Sequence, residues 1–304
     1  MADRQQFTFP SSDGEHQVHA VLWLPEEGQP KAVVQIVHGI CEYALRYEDF
    51  ALFLTGHGYA VAGSDHLGHG LTARGPEEYG YFTDWFQLTK DVHTLRTLMG
   101  ERFPGIPYFL LGHSMGSFQA RTYLIDYPGT LDGCILSGTG QENALTVAFG
   151  KFVTSLGDPH KVNKLFLALS LGAYNKKFAP NRTTADWVSR DEALVDKYLA
   201  DPLCNFRTTA GMNHAMMVGL QYIADKKNLS KMDPDTPVAL FSGDADPVGA
   251  MGKGVERSCQ AFRKAGMQDV TLKLYPGLRH EILNEKAMEQ TVYDDIHQWL
   301  SRYI

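Results

Sequence analysis

"YFLLGHSMGSFQA", residues 108–120, sets a serine between two glycines at the point where an apolar run stops and a helical pattern starts. Tyr108 to Leu111 reads as a short buried strand, and from Met115 onward Phe118, Tyr123 and Leu124 recur at roughly helical spacing. Ser114 therefore occupies a sharp strand-to-helix turn. In such a G-x-S-x-G elbow the hydroxyl projects above the sheet, and Gly112 and Gly116 let strand and helix approach closely. A nucleophile would be displayed there.

Working outward, "QFTF" and "QVHAVLWL" flank the turn-like "PSSDGEH" and read as an antiparallel hairpin. Six more short apolar runs follow at 32–37, 59–64, 108–111, 133–137, 237–242 and 270–275, separated by helical patterns. The alternation predicts a mostly parallel eight-stranded sheet covered by helices on both faces, an α/β class. One interval breaks the rhythm. Between "ILSGTG" and "MDPDTPVALF" the chain is far longer than one crossover helix requires, and stretches such as "KLFLALSLGAY" and "TAGMNHAMMVGLQYIADK" look helical. The expected organisation is a first core segment at 1–139, an inserted helical cap at 140–233 and a second core segment at 234–304. The cap holds 12 Lys and Arg against 9 Asp and Glu, mildly basic on an acidic body.

A serine hydroxyl needs a base, and the base needs an orienting carboxylate. In an elbow sheet these partners follow in the order Ser, Asp or Glu, His, on loops after late strands. "FSGDADPVG" offers Asp246, with Asp244 as competitor, and "YPGLRHEILNE" offers His280. Asp246 is preferred, because Asp244 comes sooner after the strand, where a turn-stabilising role is common. A tetrahedral oxyanion needs backbone donors. Met115 supplies one, and Ile40 in "IVHGICEY" the other, with Gly39 allowing the tight turn. His113, beside Ser114, is expected to shape the elbow and border the substrate rather than take the proton. His66 and His69 in "DHLGHG" sit in a glycine turn without a matching carboxylate, so no metal is expected, and no cofactor is implied.

"VHGICEYALRYEDFALFLTGHGYAVAGSDHLGHG", "LLGHSMGS", "SGDADPV" and "GLRHEILNE" together resemble the monoacylglycerol lipase and bacterial lysophospholipase group of the α/β-hydrolase family. The likeness covers roughly residues 6–139 and 234–304 and is weak across the cap. It implies Ser114 as nucleophile, Asp246 as acid, His280 as base, and Ile40 and Met115 as oxyanion donors. It also suggests a Glu42–Arg46 pair beneath the oxyanion loop. Where that group often carries a small residue beside "HG", this chain has Ile40 and then Cys41, which narrows the expected acyl entrance.

The expected activity is a serine ester hydrolase working through an acyl-enzyme on monoacylglycerol or lysophospholipid esters. The alternatives are a short-chain carboxylesterase, an aminopeptidase holding its substrate through Glu142, Asp186, Asp191 or Glu192, or a non-enzymatic ligand receptor. Phe149, Phe152, Phe166, Phe178, Trp187, Met212, Met216 and Met217 make the cap rich in candidate acyl-pocket residues, with Met216 and Met217 foremost. A formal charge of -7 argues against nucleic acid as a partner, while the basic cap allows transient contact with a membrane surface. The stretch "MADRQQFTFPSSDGEHQ" has no leader-like apolar core, and no run reaches membrane-span length. Four scattered cysteines suggest reduced thiols, so a cytoplasmic location is expected.

Overall fold

In the computed structural model, residues 3–304 are described. Met1 and Ala2, at the head of the stretch read for a leader, lie outside the described residues. Strands β1 (Asp3–Pro10) and β2 (Gln17–Leu24) form the expected hairpin, paired antiparallel from Asp3↔Leu24 to Pro10↔Gln17. Then follow β3 (Val33–Val37), β4 (Ala60–Ser64), β5 (Tyr108–His113), β6 (Gly133–Ser137), β7 (Val238–Gly243) and β8 (Val270–Tyr275). They complete one eight-stranded sheet in the order β1-β2-β4-β3-β5-β6-β7-β8, and every pairing from β4 through β8 is parallel.

Strands β3 to β7 are buried at every residue, as expected of parallel strands covered on both faces, and this is why they read as unbroken apolar runs. The edge strands β1 and β8 keep polar residues in the open. Two hydrophobic layers flank the sheet. One gathers Trp85, Leu88, Phe118 and Tyr123 from α2 (Trp85–Arg102) and α3 (Met115–Asp126), together with Phe262 from α10 (Lys253–Ala265). The other gathers Phe50 and Leu54 from α1 (Glu48–Gly56) with Tyr293, Ile296 and Trp299 from α11 (Glu289–Leu300).

Between β6 and β7 lie α4 (Ala144–Thr154), α5 (Lys164–Leu169), α6 (Leu171–Lys176), α7 (Glu192–Ala200), α8 (Ala210–Ala224) and α9 (Lys226–Leu229). Read from sequence as one cap, this span contains two kinds of helix. Trp187, Val195, Tyr198 and Cys204 form a small cluster of their own. Helix α8 instead joins the main core through Met212, Ala215, Leu220 and Ile223, and a Cβ on its Gly219 would lie 2.2 Å from the Trp85 ring. Helix α8 packs on α2 and α3, the helices that cover this face of the sheet, and this draws it into the main core.

Candidate active site

The parallel strands bring their carboxyl ends to one edge, the place where open α/β sheets carry their sites. After β5 the chain turns at Ser114, whose φ of 53° and ψ of -121° are strained for a side-chain-bearing residue. The turn is possible only because its neighbours lack side chains. A Cβ on Gly112 would sit 2.3 Å from the Gly116 carbonyl oxygen, and one on Gly116 would sit 2.0 Å from that of Val37. The Ser114 N–H donates to Ser137 O on β6 at 2.9 Å, and the Ser117 hydroxyl donates to Ser114 O at 2.6 Å. The elbow is thereby held from both sides.

After β7, Asp246 is fully buried and accepts from the Val248 N–H at 2.9 Å through Oδ1. Its Oδ2 lies 2.9 Å from His280 Nδ1, on the loop after β8. The two loops are laced together by Asp244 N–H to Tyr275 O at 3.1 Å and Ala245 N–H to Leu278 O at 3.0 Å. Asp244 points elsewhere and accepts from the Gly277 N–H at 2.7 Å. Burial pushes the His280 pKa down, but the Asp246 carboxylate, helped by Glu281 and Glu42, more than reverses this, leaving it raised. Ser114 and His280 border the same small cavity of about 30 Å³, together with Ile40 and His113.

His113 packs its ring 4.7 Å from that of His280 and 3.3 Å, through Nδ1, from Ser137 Oγ. Burial and the His280 charge hold its pKa well below the usual value, so it stays neutral. Among the described residues the N–H groups of Ile40 and Met115 have no hydrogen-bond partner, and both residues line the larger cavity beside Ser114. Gly39 approaches Ser114 so closely that its Cβ would be 3.0 Å from the serine Cβ.

Beneath that loop Glu42 accepts from the Gly39 N–H at 2.5 Å and from the Tyr47 hydroxyl at 2.7 Å, and pairs with Arg46 at 2.6 Å. The pairing suggested by the resemblance is therefore present, on a 3-10 turn at Ala44–Tyr47. Sequence reasoning missed the third member. Glu281, next to His280, takes two bonds from Arg46 at 2.9 and 2.8 Å. Burial would raise its pKa, yet Arg46 and the Asn284 amide hold it below the carboxylate range, while burial and Glu281 raise that of Glu42. Cys41 is buried, its thiol donating to Phe206 O at 3.2 Å, and burial pushes its pKa far upward, so it is unreactive as a thiolate. His66 lies against His38, with Nε2 3.1 Å from His38 O, and burial keeps His38, His66 and His69 below the usual histidine range. Among the described residues no group of His, Cys, Asp and Glu is arranged to hold a metal ion.

Ser114 opens onto a cavity of about 320 Å³ walled by α3, α4, α5 and α8. Of the aromatic and methionine residues singled out in the cap, Phe149, Phe166, Trp187, Met216 and Met217 line it. The other three do not: Phe152 is 62% exposed, Met212 is buried in the core, and Phe178 stacks beneath Arg279 at 4.1 Å. A helical pattern identifies a face but not which neighbour covers it. Trp187 sits over the histidine, ring to ring at 5.0 Å. Of the four acids weighed as ammonium anchors, only Glu142 lines the cavity. Asp186 accepts from Arg182 and Thr183 N–H groups, Asp191 caps α7, and Glu192 faces Arg182 at 3.8 Å. Tyr174 and Asn213 also line the cavity and carried no signal in the sequence reading.

The family model described as Serine aminopeptidase, S33, matches residues 28–287. The chain belongs to this family. The chain is 29% identical to the monoacylglycerol lipase of Mycolicibacterium smegmatis, with 99% of this chain and 98% of that protein aligned. It is 29% identical to the human monoglyceride lipase over 96% of this chain and 89% of that one. Among solved structures, a highly thermostable carboxyl esterase from Bacillus coagulans in complex with glycerol superposes with a TM-score of 0.91 at 30% identity, covering 100% and 99% of the two chains. The S33 chain therefore has the α/β-hydrolase fold, and its resemblance to the monoacylglycerol lipase group extends through the cap as well as the core. No helix among the described residues is long and apolar enough to cross a membrane.

Proposed function

We propose that the protein is a serine ester hydrolase that cleaves monoacylglycerol-type esters of medium or long acyl chains through an acyl-enzyme. The observation that carries this reading is a strained, cavity-facing Ser114 beside an Asp246-oriented histidine at the mouth of an apolar cavity. Ser114 Oγ attacks the ester carbonyl carbon as its proton passes to His280 Nε2. The unpartnered N–H groups of Ile40 and Met115 hold the oxyanion, and His280 then gives the proton to the departing alcohol. Water, activated by the same histidine, releases the acid. The buried Asp246 stabilises the imidazolium in both halves.

The lipases aligned along nearly the whole chain, and the esterase solved with glycerol, support a glycerol ester over an amide. The engagement of three of the four candidate acids elsewhere in the cap points the same way. For the acyl portion, each methylene withdrawn from water is worth about 0.8 kcal/mol, or about fourfold in kcat/KM while the cavity has room.

The enzyme meets its substrate at a lipid surface. Leu145, Phe149 and Phe152 recur along one face of α4, joined by Leu156, Leu165 and Leu169, and all are exposed, Leu145 by 83%. Phe149 and Leu169 also line the cavity, so this apolar patch is continuous with the path an acyl chain would take from a bilayer or micelle.

The test is a hydrolysis panel of p-nitrophenyl esters of increasing chain length, monoacylglycerols, lysophospholipids and aminoacyl amides, run with wild type and Ser114→Ala. The expected result is a rise with chain length to a plateau, glycerol esters preferred, with Ser114→Ala inactive and unlabelled by a fluorophosphonate. A maximum at acetate would favour the short-chain carboxylesterase. Preferred cleavage of aminoacyl amides would favour the peptidase.

A further inference from the structure

Asn213 is 1% exposed and lines the large cavity, yet no hydrogen bond from its side chain to any described residue exists, and its Nδ2 is a buried donor without a protein partner. Its surroundings make this unusual. On α8 the residues that share its face, Met216, Met217 and Leu220, are apolar and line the same cavity, at the i+3, i+4 and i+7 spacings of one helical stripe. Val153 and Phe166 line the same cavity. A leucine or methionine would complete that wall.

The ordinary structural uses of an asparagine are already taken or absent. The N-cap of α8 is Thr209, whose hydroxyl accepts from the Met212 N–H at 3.2 Å. The other polar residue on this turn, His214, is committed to α4 through Lys151 O at 3.1 Å and Thr154 Oγ1 at 3.3 Å. No bond runs from the Asn213 amide back to the preceding turn, the usual resort of such side chains inside helices. A buried amide without a partner is destabilising, and such groups are retained where something else satisfies them.

We infer that the cavity is built to receive an acyl chain bearing a hydroxyl group, with the Asn213 amide as the partner of that hydroxyl. The inference rests on the ester hydrolase reading and specifies its substrate class. A hydroxyl both donates and accepts, so it matches either end of a primary amide, whereas a plain methylene leaves the amide stripped of water and unpaired. A site with a buried polar group discriminates against the analogue that lacks the matching group more strongly than an apolar wall discriminates by size. The surrounding methionines suit a chain that must settle around a fixed polar point.

The experiment measures kcat/KM for p-nitrophenyl esters of one medium-chain acid and of its hydroxylated position isomers, with wild type, Asn213→Leu and Asn213→Ala. In the wild type, one isomer or two adjacent ones should exceed the rest by about tenfold, the scale of one well-made hydrogen bond. Both variants should lose that preference, and Asn213→Leu should shift the ratio toward the unhydroxylated ester. Two variants are used so that a packing fault in one does not decide the outcome. A flat ranking of isomers in the wild type, or the same ranking in all three proteins, overturns the inference. A parallel pair, the glyceryl and ethyl esters of the parent acid, tests the other source of a hydroxyl. If the variants change only the glyceryl-to-ethyl ratio, the amide faces the alcohol and the acyl assignment is wrong. Failure of the wild type to cleave any ester would instead refute the hydrolase reading, and this inference with it.

Discussion

Replacing Arg46 with methionine tests how the site is braced. The guanidinium lies between Glu42 and Glu281, whose side chains are only 3% and 6% exposed, and it faces the Tyr198 ring at 5.1 Å. Methionine fills similar volume but leaves two buried carboxylates facing each other without their cation. Removing one partner of a buried pair destabilises by about 3–5 kcal/mol, a shift on the order of 1 M in the urea midpoint. The loss should depend on pH in a definite direction. In the wild type Glu281 titrates below its unfolded value near 4.3, so its contribution is present above that pH and is lost on acidification. Without Arg46, burial and mutual repulsion place both carboxyls above the unfolded value. They then bind more protons folded than unfolded, and stability falls as pH rises, by about 1.4 kcal/mol per pH unit for each carboxyl still protonated. The gap in urea midpoint between wild type and Arg46→Met should therefore widen from pH 5 to pH 8. The kcat should fall as well, because Glu42 holds the Gly39 N–H at the foot of the oxyanion loop. A gap that stays constant across this range, or narrows, would show that the carboxylates are not braced by the arginine and would refute the reasoning.

Asp246→Asn should lower kcat by several orders of magnitude while Asp244→Asn, which alters only a turn contact to Gly277, should shift stability by about 1 kcal/mol or less; the reverse ranking would reassign the acid. Because the His280 pKa is raised by Asp246 and its acidic neighbours, the acidic limb of the kcat/KM profile should fall at a pH above the free-histidine value of about 6.5, and Asp246→Asn should move that limb downward. Leu145→Glu together with Phe152→Glu should weaken sedimentation with phosphatidylcholine vesicles while leaving hydrolysis of a water-soluble short ester intact; equal vesicle binding by both proteins would remove the docking reading.

The strands were legible because parallel strands buried on both faces leave no alternation to confuse with a helix, and each of the six apolar runs became one. The elbow glycines were equally legible, since Gly112 and Gly116 are demanded by contacts closer than a Cβ tolerates, whereas the caps at Asn143, Asn163, Asp191 and Thr209 emerge only in the structure, Asp191 reading in the sequence as a candidate ammonium anchor. The spacing of Asp244 and Asp246 from the strand end pointed to the residue that meets His280. What stayed hidden depends on contacts across long sequence separations. Glu281 meets Arg46 across 235 residues, and nothing in "RHEILNE" announces it. Phe152, Phe166 and Met212 look alike in a helical pattern, yet one is exposed, one lines the cavity and one fills the core, because the pattern gives a face and not its occupant. Asn213 was overlooked for the opposite reason, as a polar letter in an apolar stretch that reads as noise until its neighbours are known.

Helix α8 belongs to two structures at once. It packs on α2 and α3, wedged against Trp85 through Gly219, and it is one wall of the cavity through Met216 and Met217. The wall formed by α4 and α5 presents exposed apolar residues on one side and packs Val147, Val153 and Phe166 into the same cluster as α8 on the other. The exposed and buried positions therefore have different freedom to diverge. Substitutions at the exposed positions of α4 and α5, such as Leu145, Phe152 and Leu165, alter what the enzyme meets at its surface, while Val147, Val153 and Phe166 are read by the core. Substitutions on α8 that change which chain fits are read at the same time by the core as gains or losses of packing. A library aimed at new chain specificity should accordingly yield changes at the exposed positions of α4 and α5 freely, and changes at the buried positions of α4, α5 and α8 chiefly in backgrounds with stability to spare.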